Sequence, residues 1–269
     1  MKIENFTTHE AVKSYVISLM PAPPIEYAVS EELQRKQMES LKESIGSRRF
    51  FFCLNLEKFE IEHVLGIQRW LGYPDKDFTI KKYHDIQHPG KRKISKLIAL
   101  NFIETYSKGI HPLNFMAQRY STLVALRHYR GHYVLTNKVT SVFQHDKQNR
   151  ITGCIHEFTL IKDFDNEALT PTFFMSNGEE DERGKEIMEK TRQQFEKLKV
   201  FSPKELHVAK KMAHHPGMTR AEIAAALEIS VDDLHQYYNR LLKKSRDFFE
   251  IDFPTTLEAV LYVKKTGLL

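Results

Sequence analysis

Residues 219–244, TRAEIAAALEISVDDLHQYYNRLLKK, contain two short helical patterns separated by a tight turn. The second pattern runs from Val231 to about Lys244, and at helical spacing its side chains separate by chemistry. The apolar side carries Leu234, Tyr237, Tyr238, Leu241 and Leu242, and the polar side carries His235, Gln236, Asn239, Arg240 and Lys243. Amide, imidazole and cationic groups are the types that reach base edges and phosphates, whereas a solvated structural helix is the alternative interpretation.

Four motifs around this helix resemble the LuxR-type helix-turn-helix domain. Residues 201–206 (FSPKEL) are similar to its opening "LTPRE", and residues 219–227 (TRAEIAAAL) to its "SNKEIAxxL" helix. Residues 228–230 (EIS) match the "xIS" turn, and residues 256–269 resemble the closing "EAVxxAxxxGLL". The resemblance implies an all-α, four-helix domain over residues 201–269 that binds double-stranded DNA.

The same resemblance assigns roles to individual residues. The groups implied to contact phosphates are those of Thr219, Arg220 and Ser230. The base-facing positions fall on His235, Gln236 and Asn239. The implied backbone anchors are Arg240, Lys243 and Lys244.

Three features depart from the LuxR-type pattern. Asp232 and Asp233 begin the second helix, where carboxylates suit the helix dipole but repel phosphates. Tyr237 stands where the family commonly has histidine, and the connection 245–255 is longer than usual. Acids and bases nearly balance from residue 201 onward, so we expect weak binding per monomer and a homodimer for specific binding.

The middle of the chain, residues 49–164, is predicted to form strands around a long helix. The strand patterns cover residues 50–54, 61–67, 122–128, 133–143 and 151–161, and the helix covers residues 94–106. Three local motifs in this region resemble those of PAS domains. They are residues 70–78 (WLGYPDKDF), 83–89 (YHDIQHP) and 127–133 (RHYRGHY).

The PAS resemblance implies a five-stranded antiparallel sheet that senses a small molecule or a protein partner, or mediates dimerisation. Together with N-terminal helices and the helical C-terminal domain, the fold class is α+β. Five aromatic residues either line a cavity in this domain or fill a small core. They are Trp70, Tyr73, Phe78, Phe102 and Phe115.

The two remaining segments are predicted to be helical in part. Residues 1–48 contain one helix capped by Thr8 and a second opened by Ser30, which either cover the next domain or dimerise. Residues 165–200 form a linker, with a loop over 165–178 and a charged helix over 179–199. A solvated linker helix is the expectation, and a short parallel coiled coil is the alternative.

Composition bounds the class of protein. The chain has 269 residues, 41% of them hydrophobic and 28% charged, with a net charge of +5 that permits a polyanionic partner. We expect a cytoplasmic protein without a signal peptide or membrane span, in which Cys53 and Cys154 are reduced.

No enzyme is expected, because no nucleophile–base pair, phosphate-binding glycine loop or clustered set of metal ligands occurs. No cofactor is expected either. Flavin photosensors need a reactive cysteine in a motif that Cys53 and Cys154 lack. The nearest candidates for a haem ligand are His84, His88 and His111, and the histidine of the "HP" pair is commonly structural.

The two resemblances together imply a transcriptional regulator, in which a PAS-like domain controls a LuxR-type DNA-binding domain. A signalling adaptor is the alternative. In that case the helix-turn-helix domain is degenerate and serves protein contacts, as Asp232 and Asp233 would suggest.

Overall fold

The structure, a computed structural model, describes residues 8–44, 46 and 48–269. It is a mixed α+β fold. Its α-helices are α1 (His9–Ser18), α2 (Glu31–Ser44), α3 (Ile67–Leu71), α4 (Ile80–Ile86), α5 (Pro89–Ser107), α6 (Arg183–Lys197), α7 (Pro203–His214), α8 (Arg220–Ala226), α9 (Val231–Phe249) and α10 (Thr256–Lys265). Its strands are β1 (Arg49–Asn55), β2 (Glu60–Leu65), β3 (Gln118–Arg127), β4 (Tyr133–His145), β5 (Ile151–Asp163) and β6 (Thr172–Met175).

The strands form one antiparallel sheet in the order β2-β1-β5-β4-β3-β6. The five strands predicted from the sequence occupy the first five places. The prediction of five strands was nevertheless wrong, because β6 adds a sixth strand inside the segment predicted to be a loop. Its residues 172–175 pair with residues 118–121 of β3 and cover the edge that β3 would otherwise leave open.

Alternation along β1 explains how the sheet is covered on both faces. Phe50, Phe52 and Leu54 belong to the large core beneath α4 and α5. Phe51 and Cys53 point the other way, into a smaller cluster that also contains Leu41 of α2 and Ile155 of β5. The two N-terminal helices therefore cover different parts of the sheet domain, since Val12 and Val16 of α1 lie in the large core.

Helix α6 packs against α5 and is not a solvated linker. Its Ile187, Thr191 and Phe195 are buried, and the Asn101 amide of α5 donates hydrogen bonds to Thr191 Oγ1 (2.9 Å) and Gln194 Oε1 (3.0 Å). The apolar stripe is thus buried within the same chain, which also leaves no seam for the alternative coiled coil.

Local capping defines the four C-terminal helices. Ser202 with Glu205 and Thr219 with Glu222 form reciprocal capping boxes at the starts of α7 and α8. The third helix, α9, continues to Phe249, beyond the predicted end near Lys244. It does so because Ser245 and Phe249 are buried, and because the rings of Phe248 and Phe249 pack against Phe195 (5.6 Å) and Tyr262 (5.1 Å), respectively.

The C-terminal helices share a continuous core with the sheet domain. The contact runs through the first turns of α5, where a Cβ on Gly90 would overlap the carbonyl of Phe249. Among the described residues, no helix combines the length and apolar character needed to cross a membrane.

Candidate nucleic-acid interface and internal cavity

The polar face of α9 is open to solvent. His235, Gln236, Asn239, Arg240 and Lys243 are all exposed, whereas the opposite side of the helix is buried at Leu234, Tyr238 and Leu241. The structure therefore brings the three predicted base-facing residues and two of the predicted anchors onto one accessible surface.

Within this face, side chains pair along the helix. The Nδ2 of Asn239 and the Nε2 of His235 lie 3.2 Å apart, one helical turn from each other. The guanidinium of Arg240 lies 4.7 Å from the ring centre of Tyr237. These contacts limit the rotamers of the exposed polar groups, which lowers the entropy lost when they bind a partner.

The predicted phosphate donors at the helix starts are engaged in capping. The Ser230 hydroxyl donates to Asp233 Oδ2 (2.7 Å) and accepts from the Asp233 backbone N–H (3.0 Å). The Thr219 hydroxyl donates to Glu222 Oε2 (2.8 Å) in the same way. Asp232 and Asp233 are both exposed to solvent, and Asp233 is part of the cap of α9.

Two of the predicted DNA-backbone anchors, Arg240 and Lys244, form ion pairs with a buried carboxylate. Glu205 of α7 has a side chain only 3% exposed, and its oxygens lie 2.7 Å from Lys244 Nζ and 3.8 Å from Arg240 Nε. Burial alone would raise the pKa of the Glu205 carboxyl, but the Lys244 ammonium and the Ser202 backbone N–H outweigh it and hold the pKa below its usual value. Lys244 and Arg240 therefore hold α9 against α7.

Lys243 and Arg220 are the predicted cations that Glu205 does not engage. Lys243 is exposed on α9, and Arg220 is exposed at the start of α8 with its guanidinium 5.6 Å from the Tyr238 ring. Fewer cations are thus available to a polyanion than the sequence implied.

The five aromatic residues, predicted either to line a cavity or to fill a small core, lie in different places. Trp70 is half-buried, the Tyr73 hydroxyl donates to the Arg127 carbonyl (2.9 Å), and Phe78 packs in the core. Phe115 lies on the opposite face of the sheet, where its ring is 5.6 Å from Phe143.

Of the five, Phe102 alone lines the internal cavity, which lies between the sheet and α5 and measures about 50 Å³. Its walls are mostly apolar, but a polar group of side chains enters from the sheet. Lys138 Nζ donates to the Tyr120 hydroxyl (2.8 Å), and Thr140 Oγ1 lies 2.8 Å from His156 Nδ1.

The cavity histidines are neutral at physiological pH. Burial, helped by the nearby Lys96, lowers the pKa of His84 to about 3, and burial lowers the pKa of His156 far below its ordinary value. Lys138, which is 2% exposed, is therefore the cationic group at the sheet side of the cavity.

Sequence reasoning missed Lys138, although the pattern of β4 contains a signal for it. Residues with the same parity along a strand share a face, so Lys138 lies on the face of Thr136, Thr140 and Val142. All four are buried. A lysine within such a row is a marker of a polar pocket inside a core.

The comparisons with known proteins found similarity in solved structures alone. No protein-family model matches the chain, and no curated protein matches it. The chain is similar to the Vibrio cholerae VqmA dimer, described as a LuxR-type receptor, with 12% identity over 87% of this chain and 88% of that one, at a TM-score of 0.33.

Two further structures are similar. Escherichia coli SdiA shares 14% identity over 96% of this chain and 98% of that one, at a TM-score of 0.27. The N-terminal domain of a diguanylate cyclase with a PAS/PAC sensor, from Marinobacter aquaeolei, shares 16% identity over 42% of this chain and 95% of that one, at a TM-score of 0.34.

Proposed function

We propose that the protein is a DNA-binding transcriptional regulator, in which residues 201–269 contact double-stranded DNA and residues 49–164 form a PAS-like sensor. In this division, residues 1–48 are an N-terminal helical segment and residues 165–200 connect the two domains. The observation that carries the proposal is the exposed face of α9, where His235, Gln236 and Asn239 stand together above a buried apolar side.

The proposed readout follows from the donors and acceptors on that face. Gln236 and Asn239 make paired hydrogen bonds to adenine in the major groove, and His235 donates to guanine. Lys243 and Arg220 contact phosphates, so binding depends on salt concentration. The hydroxyls of Ser230 and Thr219 are already engaged in capping. These residues therefore contribute through the N-termini of the helices that they cap, whose N–H groups face the DNA phosphates.

Specific binding requires two copies of the chain in this proposal. One helix reads only a few base pairs, and the cations at Arg240 and Lys244 are partly neutralised by Glu205. A homodimer doubles the readout and gives the DNA site a two-fold symmetry.

The sensor site is the cavity between the sheet and α5. At about 50 Å³ it is smaller than the cavity of about 150 Å³ that binds benzene in an engineered core, so its occupant is a very small molecule or ordered water. Helix α5 lines the cavity through Ser95, Ala99 and Phe102, and its first turn contacts the end of α9 at Phe249. A ligand that moves α5 would therefore move α9.

A non-catalytic role is part of the proposal. Burial raises the pKa of the Cys53 thiol and raises that of Cys154 to about 12, so neither cysteine is a thiolate nucleophile at neutral pH. We propose that the PAS-like domain, residues 49–164, needs no cofactor.

A signalling adaptor remains the second candidate, and the capping geometry favours it. Ser230 and Thr219 hold carboxylates, Glu205 holds two cations, and Asp232 adds an exposed negative charge beside the proposed readers. In an adaptor, the same α9 face would contact a protein.

Selection from a random duplex pool distinguishes the two candidates. The full chain is incubated with the pool at moderate salt, and bound duplexes are amplified and sequenced over successive rounds. A regulator enriches a sequence with two related half-sites. An unchanged pool after several rounds would refute DNA readout and leave the adaptor.

A further inference from the structure

The contact between the sheet domain and the C-terminal helices contains a buried amine. Lys91, in the first turn of α5, is 1% exposed, and its Nζ is not hydrogen-bonded to any group that the structure describes. The Nζ lies 4.3 Å from the ring centre of Phe164 and 5.9 Å from that of Tyr262 in α10. A buried amine between two rings is much costlier than an apolar side chain of the same length.

The faces of the Phe164 and Tyr262 rings attract the Lys91 ammonium, but they compensate only in part for its burial. Glu167 is the acid that acts on it, but that carboxylate is bound by Lys162 at 2.6 Å. Arg92, its neighbour in α5, donates to the Gln87 carbonyl (3.2 Å). The nearby imidazole of His88 packs edge-on against Tyr133 and at a tilt to Phe164. The Tyr262 hydroxyl is also buried, with no hydrogen-bond partner among the described residues.

The packing around Lys91 is close. Gly90 lies against the backbone of Phe249, and Lys93 Nζ lies 5.1 Å from the ring centre of Phe248. The end of α9 and the face of α10 thus rest on the first turn of α5, whose next turns line the cavity. The contact of α5 with α9 and α10 is thus close but contains a destabilising group, the buried Lys91 amine. Such a combination is expected where a structural element switches between two positions.

We propose that the contact of the first turn of α5 with α9 and α10 is a releasable junction, weakened by the buried amine of Lys91, through which the sensor domain controls the position of α9. This inference deepens the proposed function, and its meaning for transcription rests on that function. We call this contact, formed by Gly90, Lys91, Phe248, Phe249 and Tyr262, the α5 junction.

The sign of the pH dependence follows from burial. Burial lowers the pKa of Lys91 to about 7 in the closed junction, from an ordinary value of 10.5. The closed form therefore binds fewer protons than the released form between these two values, so closure strengthens as pH rises from 7, by up to about tenfold per pH unit. Burial lowers the pKa of His88 to about 4, so this residue changes its protonation only below this pH range.

The test measures the distance between the two domains without DNA. Spin labels are placed on Ile110→Cys and Val231→Cys, both exposed in the native chain, while Cys53 and Cys154 are buried. Distance distributions are recorded at a denaturant concentration that populates both forms. We expect the released fraction to fall from pH 7 to pH 9.

Three variants in the labelled background decide the role of Lys91. Lys91→Met should give a mostly closed junction that no longer responds to pH, because a thioether of similar length replaces the amine. Lys108→Met, a matched charge loss at the exposed far end of α5, should behave as the unsubstituted chain. Gly90→Ala should favour the released form, because its Cβ would overlap Phe249.

A Lys91→Met chain with the same released fraction and the same pH response as the unsubstituted chain would overturn the proposal. Failure of the proposed function gives a different result, because a chain that ignores DNA would still show the labelled junction closing with pH. Circular dichroism of each variant confirms that the helices are intact.

Discussion

The Glu205→Gln substitution tests whether the ion pairs between α7 and α9 stabilise the fold. The carboxylate is 3% exposed and binds Lys244 at 2.7 Å, with Arg240 more distant at 3.8 Å. Glutamine keeps the size of the side chain and can still accept from the Ser202 N–H, so the cap of α7 is largely retained. The change therefore isolates the charge.

The magnitude lies between those of buried and exposed ion pairs. Breaking a buried pair costs about 3–5 kcal/mol, and an exposed pair contributes about 0–1 kcal/mol. Because Lys244 is 38% and Arg240 51% exposed, solvent screens both, and we expect a loss of about 1–2 kcal/mol in the free energy of unfolding. For a chain of this size that corresponds to a fall of roughly 2–8 °C in melting temperature.

Calorimetry of the full chain at several pH values is the assay. The pKa of Glu205 is lowered in the folded protein, so its stabilisation is present above the pKa of the unfolded carboxyl and is lost as pH falls through the folded value. The difference between the two proteins should therefore be largest near pH 7 and should vanish in acid. An equal melting temperature at neutral pH, or a difference that does not depend on pH, would show that the charge of Glu205 does not stabilise the contact between α7 and α9.

Three further outcomes are expected. Asp232→Asn should raise affinity for DNA, since this exposed carboxylate repels phosphates, and should lower the free energy of unfolding by about 0.3–1 kcal/mol through loss of its interaction with the dipole of α9. An unchanged affinity in a titration would argue against a nearby DNA backbone. Asp233→Ala should lower the free energy of unfolding by about 0.5–1 kcal/mol through loss of the Ser230 partner, measured by thermal melting. Lys138→Met should lower the free energy of unfolding by about 1–3 kcal/mol, because it leaves the buried Tyr120 hydroxyl without the ammonium that donates to it. Burial lowers the pKa of Lys138, but Tyr120 and Tyr83 outweigh burial and raise it, so the folded chain favours the ammonium. A Lys138→Met chain at least as stable as the unsubstituted chain would contradict this prediction.

Much of the architecture could be predicted because it depends on local patterns. Apolar patterns and tight turns placed β1 to β5, and capping residues such as Thr8 and Ser30 placed the starts of helices. The two faces of α9 were also correct, since burial at Leu234, Tyr238 and Leu241 follows the helical period.

The errors arose where distant contacts override local signals. Strand β6 is only four residues long and forms because β3 offers an unpaired edge. The end of α9 is set by the packing of Phe248 and Phe249 against Phe195 and Tyr262, which periodicity within α9 does not contain. Helix α6 is buried against α5 for the same kind of reason.

The cavity shows the same limit at the level of single residues. Phe102 of α5 lines the cavity, but the other aromatic candidates, which lie in α3 and in connections between elements, do not. Strand pairing decides which other side chains meet there. Thr140 meets His156 since β4 and β5 pair in that register. Sequence spacing alone carries no such information.

The most direct test of DNA readout compares two duplexes by fluorescence anisotropy: the enriched sequence and a shuffled control. Asn239→Ala should weaken binding to the enriched duplex by about 1–3 kcal/mol and leave binding to the shuffled duplex unchanged. Lys243→Ala, a matched change on the same face, should weaken both duplexes equally and lower the salt dependence by about one phosphate contact. Equal affinity of the unsubstituted chain for both duplexes would contradict sequence readout by α9.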